Sequence, residues 1–194
     1  MDRPILPFYD DNAEVYASRS RKLPTERLAV FAARVAPGGT ILELGCGAGE
    51  DSEWLMTNGF NVVPTDGSAA MAVQAERRLG LPVRVLRFDE IAEVNAYDGV
   101  WASACLLHVP RADLCGVLAR ILLAMRPGGI FYASYKAGET EGSDRFGRYY
   151  NRPSPEWLSS AYRDAGWRAP SIESTTGGGY DDEPTEWLHV TALS

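Results

Sequence analysis

The residues whose spacing holds the most chemistry are Glu43-Leu44-Gly45-Cys46-Gly47-Ala48-Gly49, which follow an apolar segment and precede an amphipathic one. Gly45 and Gly47 permit a tight turn and a close backbone approach to a ligand. A helix starting just beyond them offers free N–H groups. In a dinucleotide-binding turn the pattern would be G-x-G-x-x-G, with a pyrophosphate on those groups. Here the sixth position counted from Gly45 is Glu50. Asp51 and Glu53 add negative charge at the same helix start, where anionic side chains compete with phosphate. That chemistry suits a cationic or zwitterionic ligand. Glu43 can meet an ammonium group, directly or through water.

Two further acids follow at regular places. Asp66 stands 21 residues after Gly45, at the end of a second apolar segment. A carboxylate there can accept hydrogen bonds from both hydroxyls of a ribose. As a plain alternative, Asp66 before Gly67-Ser68 is a turn or cap residue. Asp89 lies beside Phe88 and before Ile91. It can take the exocyclic amine of an adenine while the apolar neighbours cover the ring. Asp89-Glu90 can equally be an acidic pair at a helix start.

His108 is one of two histidines, and it follows the fourth strand-like segment. An imidazole there could take a proton near neutral pH. The bland reading is a helix-flanking histidine bonded to backbone. His189, between Leu188 and Val190, reads as structural or as facing the outer side of a sheet. The stretch from Tyr135 and Lys136 to Arg145, Arg148 and Tyr149 mixes aromatic, basic and glycine residues. It is expected to be a substrate lid, with Arg145 or Arg148 on an anionic group and Tyr135 or Tyr149 as weaker proton acceptors. Alternatively those arginines pair with Glu139, Glu141 or Asp144. Gly177-Gly178-Gly179, with Asp181, Asp182 and Glu183 beyond, reads as a flexible loop, because no helix follows to complete a phosphate cradle.

The elements that must position these groups alternate. Strands are expected at 40–44, 61–65, 83–86, 97–102 and 130–135, with helices at 51–58, 69–79 and 110–125 between them. A helical leader covers 9–35, with a fresh start at Pro24-Thr25-Glu26. Ser154-Pro155-Glu156 opens another helix, and 167–174 and 186–192 are the last strands. This order predicts one α/β domain: a doubly wound, Rossmann-like, mostly parallel sheet, helices on both faces, and an antiparallel last strand. Within residues 1–194 the leader (1–35) caps a cofactor-binding core (36–135), followed by the lid (136–153) and the terminal helix and strands (154–194).

The remaining composition narrows the class. A chain of 194 residues with 45% apolar and 23% charged content supports one hydrophobic core. A net charge of −7 argues against a phosphate-backbone partner. No apolar run approaches the roughly 18 residues that span a bilayer, and Met1–Pro7 has no signal-peptide core, so a cytoplasmic protein is expected. Three irregularly spaced cysteines, Cys46, Cys105 and Cys115, read as free thiols. Cys105 and His108 lack the further ligands a zinc site needs, so no metal is expected.

Taken together, these motifs resemble the class I S-adenosylmethionine-dependent methyltransferases. Ile41 to Gly49 resembles that family's glycine motif, and Pro64-Thr65-Asp66-Gly67-Ser68 its ribose-binding segment. Phe88-Asp89 resembles its adenine motif, Tyr97 to Ser103 its fourth strand, and Arg126-Pro127-Gly128-Gly129-Ile130 the turn before its fifth. More narrowly, the chain resembles small bacterial methyltransferases labelled tellurite-resistance-like, a label that says little about substrate. The resemblance implies a seven-stranded sheet and a cofactor held by Glu43, Gly45, Cys46, Gly47, Asp66, Gly67, Ser68, Asp89 and Glu90. It also implies that Ser103 and Ala104 lie near the methionine part, with Tyr9 or Tyr16 covering the site. The expected reaction is in-line methyl transfer to a small molecule, with S-adenosylhomocysteine as product and His108 as candidate base. Transfer to tRNA or protein, and a non-catalytic binding module on the same fold, are the alternatives. The acceptor atom (oxygen, nitrogen, sulfur or carbon) is open.

Overall fold

The computed structural model describes residues 5–19, 21–178 and 184–194. Gly179 and the acids Asp181, Asp182 and Glu183 lie outside the described residues. The helical leader is two helices, α1 (Leu6–Ala17) and α2 (Thr25–Ala32). Then come β1 (Thr40–Leu44), α3 (Glu50–Thr57), β2 (Asn61–Asp66), α4 (Ala69–Leu79) and a two-residue β3 (Arg84–Val85). They are followed by β4 (Tyr97–Ala102), α5 (Arg111–Ala124) and β5 (Met125–Lys136). A small hairpin, β6 (Gly142–Ser143) and β7 (Tyr149–Tyr150), precedes α6 (Pro155–Asp164), β8 (Arg168–Gly178) and β9 (Pro184–Leu193).

Seven strands form one sheet in the order β3-β2-β1-β4-β5-β9-β8. β1 to β5 run parallel, and β9 runs antiparallel to both β5 and β8. β5 starts at Met125, five residues before the expected Ile130, because the Pro127-Gly128-Gly129 turn is absorbed into an irregular pairing with β4. The expected loop over 136–153 holds the β6–β7 hairpin.

Alternation along the strands sorts side chains onto two faces. Leu42, Leu44, Val100, Ala102, Phe131, Ala133 and Tyr135 pack toward α5 and α6 in the larger core. Ile41, Trp101, Ile130 and Tyr132 point the other way, onto Leu28 and Phe31 of α2 and Leu55 of α3. This second face carries the site. Local chemistry fixes the helices around it. Ser68 caps α4 by accepting from the Met71 N–H at 3.1 Å, a contact worth about 1 kcal/mol. Gly80 closes the same helix at φ +68°, the left-handed geometry glycine adopts without a Cβ clash. Among the described residues no helix is long and apolar enough to cross a membrane.

Candidate functional site

The chain turns sharply after β1. Gly45, Gly47 and Gly49 all have positive φ (+63°, +58° and +84°). At Gly45 a Cβ would lie 2.6 Å from the Cβ of Cys105, so no larger residue fits. At Gly47 it would meet only the end of Met71 at 4.0 Å, leaving the backbone open to a ligand. The Gly47 N–H donates to Asp66 Oδ2 at 2.9 Å, and the Ser68 N–H donates to Asp66 Oδ1 at 2.9 Å. The acid at the end of β2 is thereby locked to the glycine turn. A carboxylate has about four lone-pair sites, so roughly two remain. Burial pushes the Asp66 carboxyl up to about 6, against the lowering effect of these backbone donors.

A cavity of about 890 Å³ opens over the carboxyl ends of β1, β2 and β4. Of the expected cofactor residues, Tyr9, Tyr16, Glu43, Gly45, Cys46, Gly47, Asp66, Gly67, Ser103 and Ala104 line it, and so does His108. Ala104 is held at φ +51°, a costly conformation for a residue with a Cβ and one that clusters at functional sites. Burial pushes the Cys46 thiol up, so it lines the turn as a neutral group.

Other expected residues stand outside this wall. Ser68 is buried behind Asp66, where its hydroxyl reaches Asp10 Oδ1 at 2.5 Å. Leu86, Arg87 and Phe88 line the cavity, whereas Asp89 pairs with Arg87 at 3.5 Å beside it. Glu90 accepts from the Arg87 N–H at 3.0 Å and pairs with its guanidinium, which stabilises the short 3-10 turn over Phe88–Glu90.

Glu43 is buried and accepts a hydrogen bond from the Ser52 hydroxyl. Burial and the neighbouring Asp51 charge push its carboxyl well above the usual range. An added cation would relieve that penalty. Asp51, also buried, accepts from the Trp101 indole at 2.8 Å and from Arg21, which also donates to Glu50 at 2.7 Å. Sequence reasoning missed Arg21. Its only signal was the basic cluster Arg19-Arg21-Lys22, which says nothing about where the chain between α1 and α2 lies.

His108 sits at the end of a 3-10 turn after β4. Its Nδ1 lies 2.6 Å from the Tyr149 carbonyl oxygen, which can only accept, so Nδ1 carries the proton. Nε2 therefore presents a lone pair to the Tyr9 hydroxyl at 3.1 Å. Burial pushes the His108 pKa down to about 4, so the ring is neutral near pH 7. Burial also raises the Tyr9 hydroxyl well above its ordinary value, so Tyr9 is the donor.

The expected lid reaches the site through this backbone carbonyl rather than through its arginines. Arg148 is buried, pairs with Asp144 at 2.7 Å and lies over the rings of Phe8, Phe146 and Tyr150. Arg145 is exposed and rests on Phe146. The Tyr149 hydroxyl donates to Glu141, and the Lys136 ammonium lies over Tyr150 and Trp187. Tyr135 faces the larger core, its hydroxyl 3.0 Å from that of Tyr162. The side chains of Tyr135, Lys136, Arg145, Arg148 and Tyr149 do not line the cavity. His189, expected to be structural or outward-facing, does line it, together with Tyr132, Thr175 and Trp187.

A family model described as a methyltransferase domain matches residues 41–129. An uncharacterized methyltransferase of Synechocystis sp. is 30% identical over 117 residues, covering 58% of this chain and 52% of the relative. A ubiquinone biosynthesis O-methyltransferase of Xanthomonas campestris pv. campestris is 30% identical over 116 residues, covering 56% and 48%. The chain thus spans about half the length of the curated relatives it matches. In fold it is similar to the Burkholderia thailandensis 1,6-didemethyltoxoflavin-N1-methyltransferase, solved with 1,6-didemethyltoxoflavin and S-adenosylhomocysteine (TM-score 0.75, 22% identity, 97% of this chain and 84% of that one).

Proposed function

We propose that this chain, which carries a methyltransferase-domain match over residues 41–129, is a class I S-adenosylmethionine-dependent methyltransferase that catalyses in-line methyl transfer to a small-molecule acceptor. The observation that carries this reading is the bond between the glycine turn and the acid of β2. Gly47 and Ser68 hold both oxygens of Asp66, and the free lone pairs suit the two ribose hydroxyls. Gly47 leaves its backbone open for close approach, and Phe88 lines the cavity where it can pack on an adenine ring. Glu43 and Asp51, held above their ordinary range by burial, favour a neighbouring ammonium. Arg21 lines the same region and suits a carboxylate.

When bound, the sulfonium supplies an electrophilic methyl group. The residues of this chain then have positioning and exclusion to perform. Ser103 and Ala104 border the place beyond β4 where an acceptor would approach. Tyr9 and Tyr16 of α1 roof the cavity and keep water out. An acceptor that displaces the Tyr9 hydroxyl can hand its proton to His108 Nε2, whose lone pair is fixed by the Nδ1–H bond to Tyr149. The lid over 136–153 acts by holding that tautomer.

The net charge of −7 and the concave shape of the cavity favour a small molecule over tRNA or protein. The buried free thiols Cys46 and Cys105 suit the reducing cytoplasm. Incubation with methyl-tritiated S-adenosylmethionine and a metabolite extract tests the proposal. Label should pass to a low-mass product. Label that stays on the cofactor, or that passes only to tRNA or protein, would refute the small-molecule assignment.

A further inference from the structure

The cavity continues past the residues of the cofactor motifs. The Ala104 N–H donates to the Ser134 hydroxyl at 2.8 Å, and Ser134 lies opposite His189 in the β5–β9 register. One strand beyond Ala104, therefore, the same cavity acquires a second wall made by Tyr132, His189, Thr175 and Trp187, with Lys22 and Arg27 also lining it. None of these six stands in a motif assigned above to the adenosyl ligand.

This wall is built and held in place. Tyr132 stacks on Trp101 with ring centroids 4.0 Å apart and planes 13° from parallel. Its hydroxyl lies 2.9 Å from His189 Nδ1, and His189 Nε2 lies 2.8 Å from Thr175 Oγ1. The ladder runs from a buried tyrosine, through a half-buried imidazole, to an exposed threonine. Such polar groups on a sheet face cost stability unless they are satisfied, and a purely apolar face would pack α2 equally well. Burial pushes His189 down to about 4, which keeps the imidazole neutral and able both to donate and to accept.

The chemistry of the lobe selects its occupant. The half-buried rings of Trp187 and His189 offer flat surface, with Tyr132 buried behind them, and the hydroxyls at the two ends of the ladder offer hydrogen bonds to substituents in the plane of a ring. Lys22 is exposed and has no ion pair among the described residues. Arg27 pairs with an exposed Glu173 at 3.3 Å, a surface contact worth little and readily exchanged for a ligand carboxylate. Glu26 lines the same rim beside these two cations, so Lys22 is the cation there with most freedom to meet a ligand.

We propose that this second lobe is the acceptor pocket and takes a flat aromatic or heteroaromatic acceptor bearing an acidic group. The proposal rests on the methyl-transfer reading above. His189 is a positioning residue that orients the Tyr132 and Thr175 hydroxyls toward the acceptor, while Lys22 and Arg27 set the preference for an anion.

Calorimetry on the full chain saturated with S-adenosylhomocysteine tests it. The probes are 3,4-dihydroxybenzoate and 4-hydroxyquinoline-2-carboxylate, with catechol as the neutral control. At least one acid should bind tenfold or more tighter than catechol. His189→Ala should weaken that acid at least tenfold, and the pair Lys22→Gln with Arg27→Gln should erase its advantage over catechol. Trp187→Leu, at a half-buried position, should weaken both ring types several-fold. Affinity for S-adenosylhomocysteine should stay within about twofold in every variant. If neither acid binds while S-adenosylhomocysteine does, or if affinities are unchanged in the His189 and Trp187 variants, the acceptor assignment falls alone. If the wild-type chain fails to bind S-adenosylhomocysteine, the methyl-transfer reading falls and this pocket assignment with it.

Discussion

Tyr9 and His108 meet across the cavity, the tyrosine hydroxyl donating to Nε2 at 3.1 Å although 99 residues separate them. The bond joins the roof helix α1 to the end of β4, and its direction is set from behind by the Tyr149 carbonyl. Tyr9→Phe removes one such bond, worth about 1 kcal/mol, so affinity for S-adenosylhomocysteine should fall about fivefold by calorimetry. His108→Ala should lower kcat by about 100-fold for an acceptor that must lose a proton, with cofactor affinity little changed. Equal kcat in the His108 variant would remove it as base.

The pH dependence separates two groups in the site. Asp66 is held at about 6 without ligand, and hydrogen bonds from ribose hydroxyls favour its ionised form. Affinity for S-adenosylhomocysteine should therefore be constant above about pH 7 and fall as pH drops through 6, by up to roughly tenfold per unit. His108, neutral down to about 4, should add no acid limb to kcat near the ordinary histidine value of about 6.5 when cofactor is saturating. Calorimetry and turnover at about pH 5, 6 and 7.5, on either side of these values, check both.

Trp101 ties the hydrophobic face to the acid cluster. It is fully buried, stacks on Tyr132 and donates its indole N–H to Asp51 at 2.8 Å. Trp101→Phe keeps a ring but takes a donor from a buried carboxylate, which should cost about 1–3 kcal/mol in urea unfolding. A loss below about 0.5 kcal/mol would mean that Arg21 alone satisfies Asp51.

Gly45 tests the turn itself. Gly45→Ala places a Cβ 2.6 Å from Cys105 and asks alanine to hold φ +63°. The backbone conformation alone costs roughly 1–2 kcal/mol. Thermal unfolding should show a clear destabilisation, and S-adenosylhomocysteine should no longer raise the melting temperature. Cys105→Gly added to the same chain relieves the clash but not the φ, so recovery should be partial.

The cofactor half of the site was legible because its signals are local. Apolar strands, a glycine turn, the Ser68 cap and acids at strand ends all lie within short windows, and the sheet order follows from their alternation. The acceptor half was not legible, for a reason of parity. β5 is aromatic and apolar on both faces, so nothing in Ile130 to Lys136 says that Tyr132 and Ser134 face the cavity while Tyr135 faces Tyr162. His189 carried the same ambiguity, resolved only by its register opposite Ser134. From sequence, Arg148 suits either a ligand anion or the Asp144 carboxylate. Its burial beside Asp144, four residues away, satisfies the charge within the lid. Arg21 owes its place to the path of a connection, which has no periodic signature.

The most direct test is calorimetric titration of the wild-type chain and of Asp66→Asn with S-adenosylhomocysteine and with NADH. The wild type should bind S-adenosylhomocysteine and not NADH, and Asp66→Asn should stay folded while losing at least tenfold in affinity. Binding of NADH without S-adenosylhomocysteine, or an unchanged affinity in folded Asp66→Asn, would contradict the assignment of this cavity to the adenosyl cofactor.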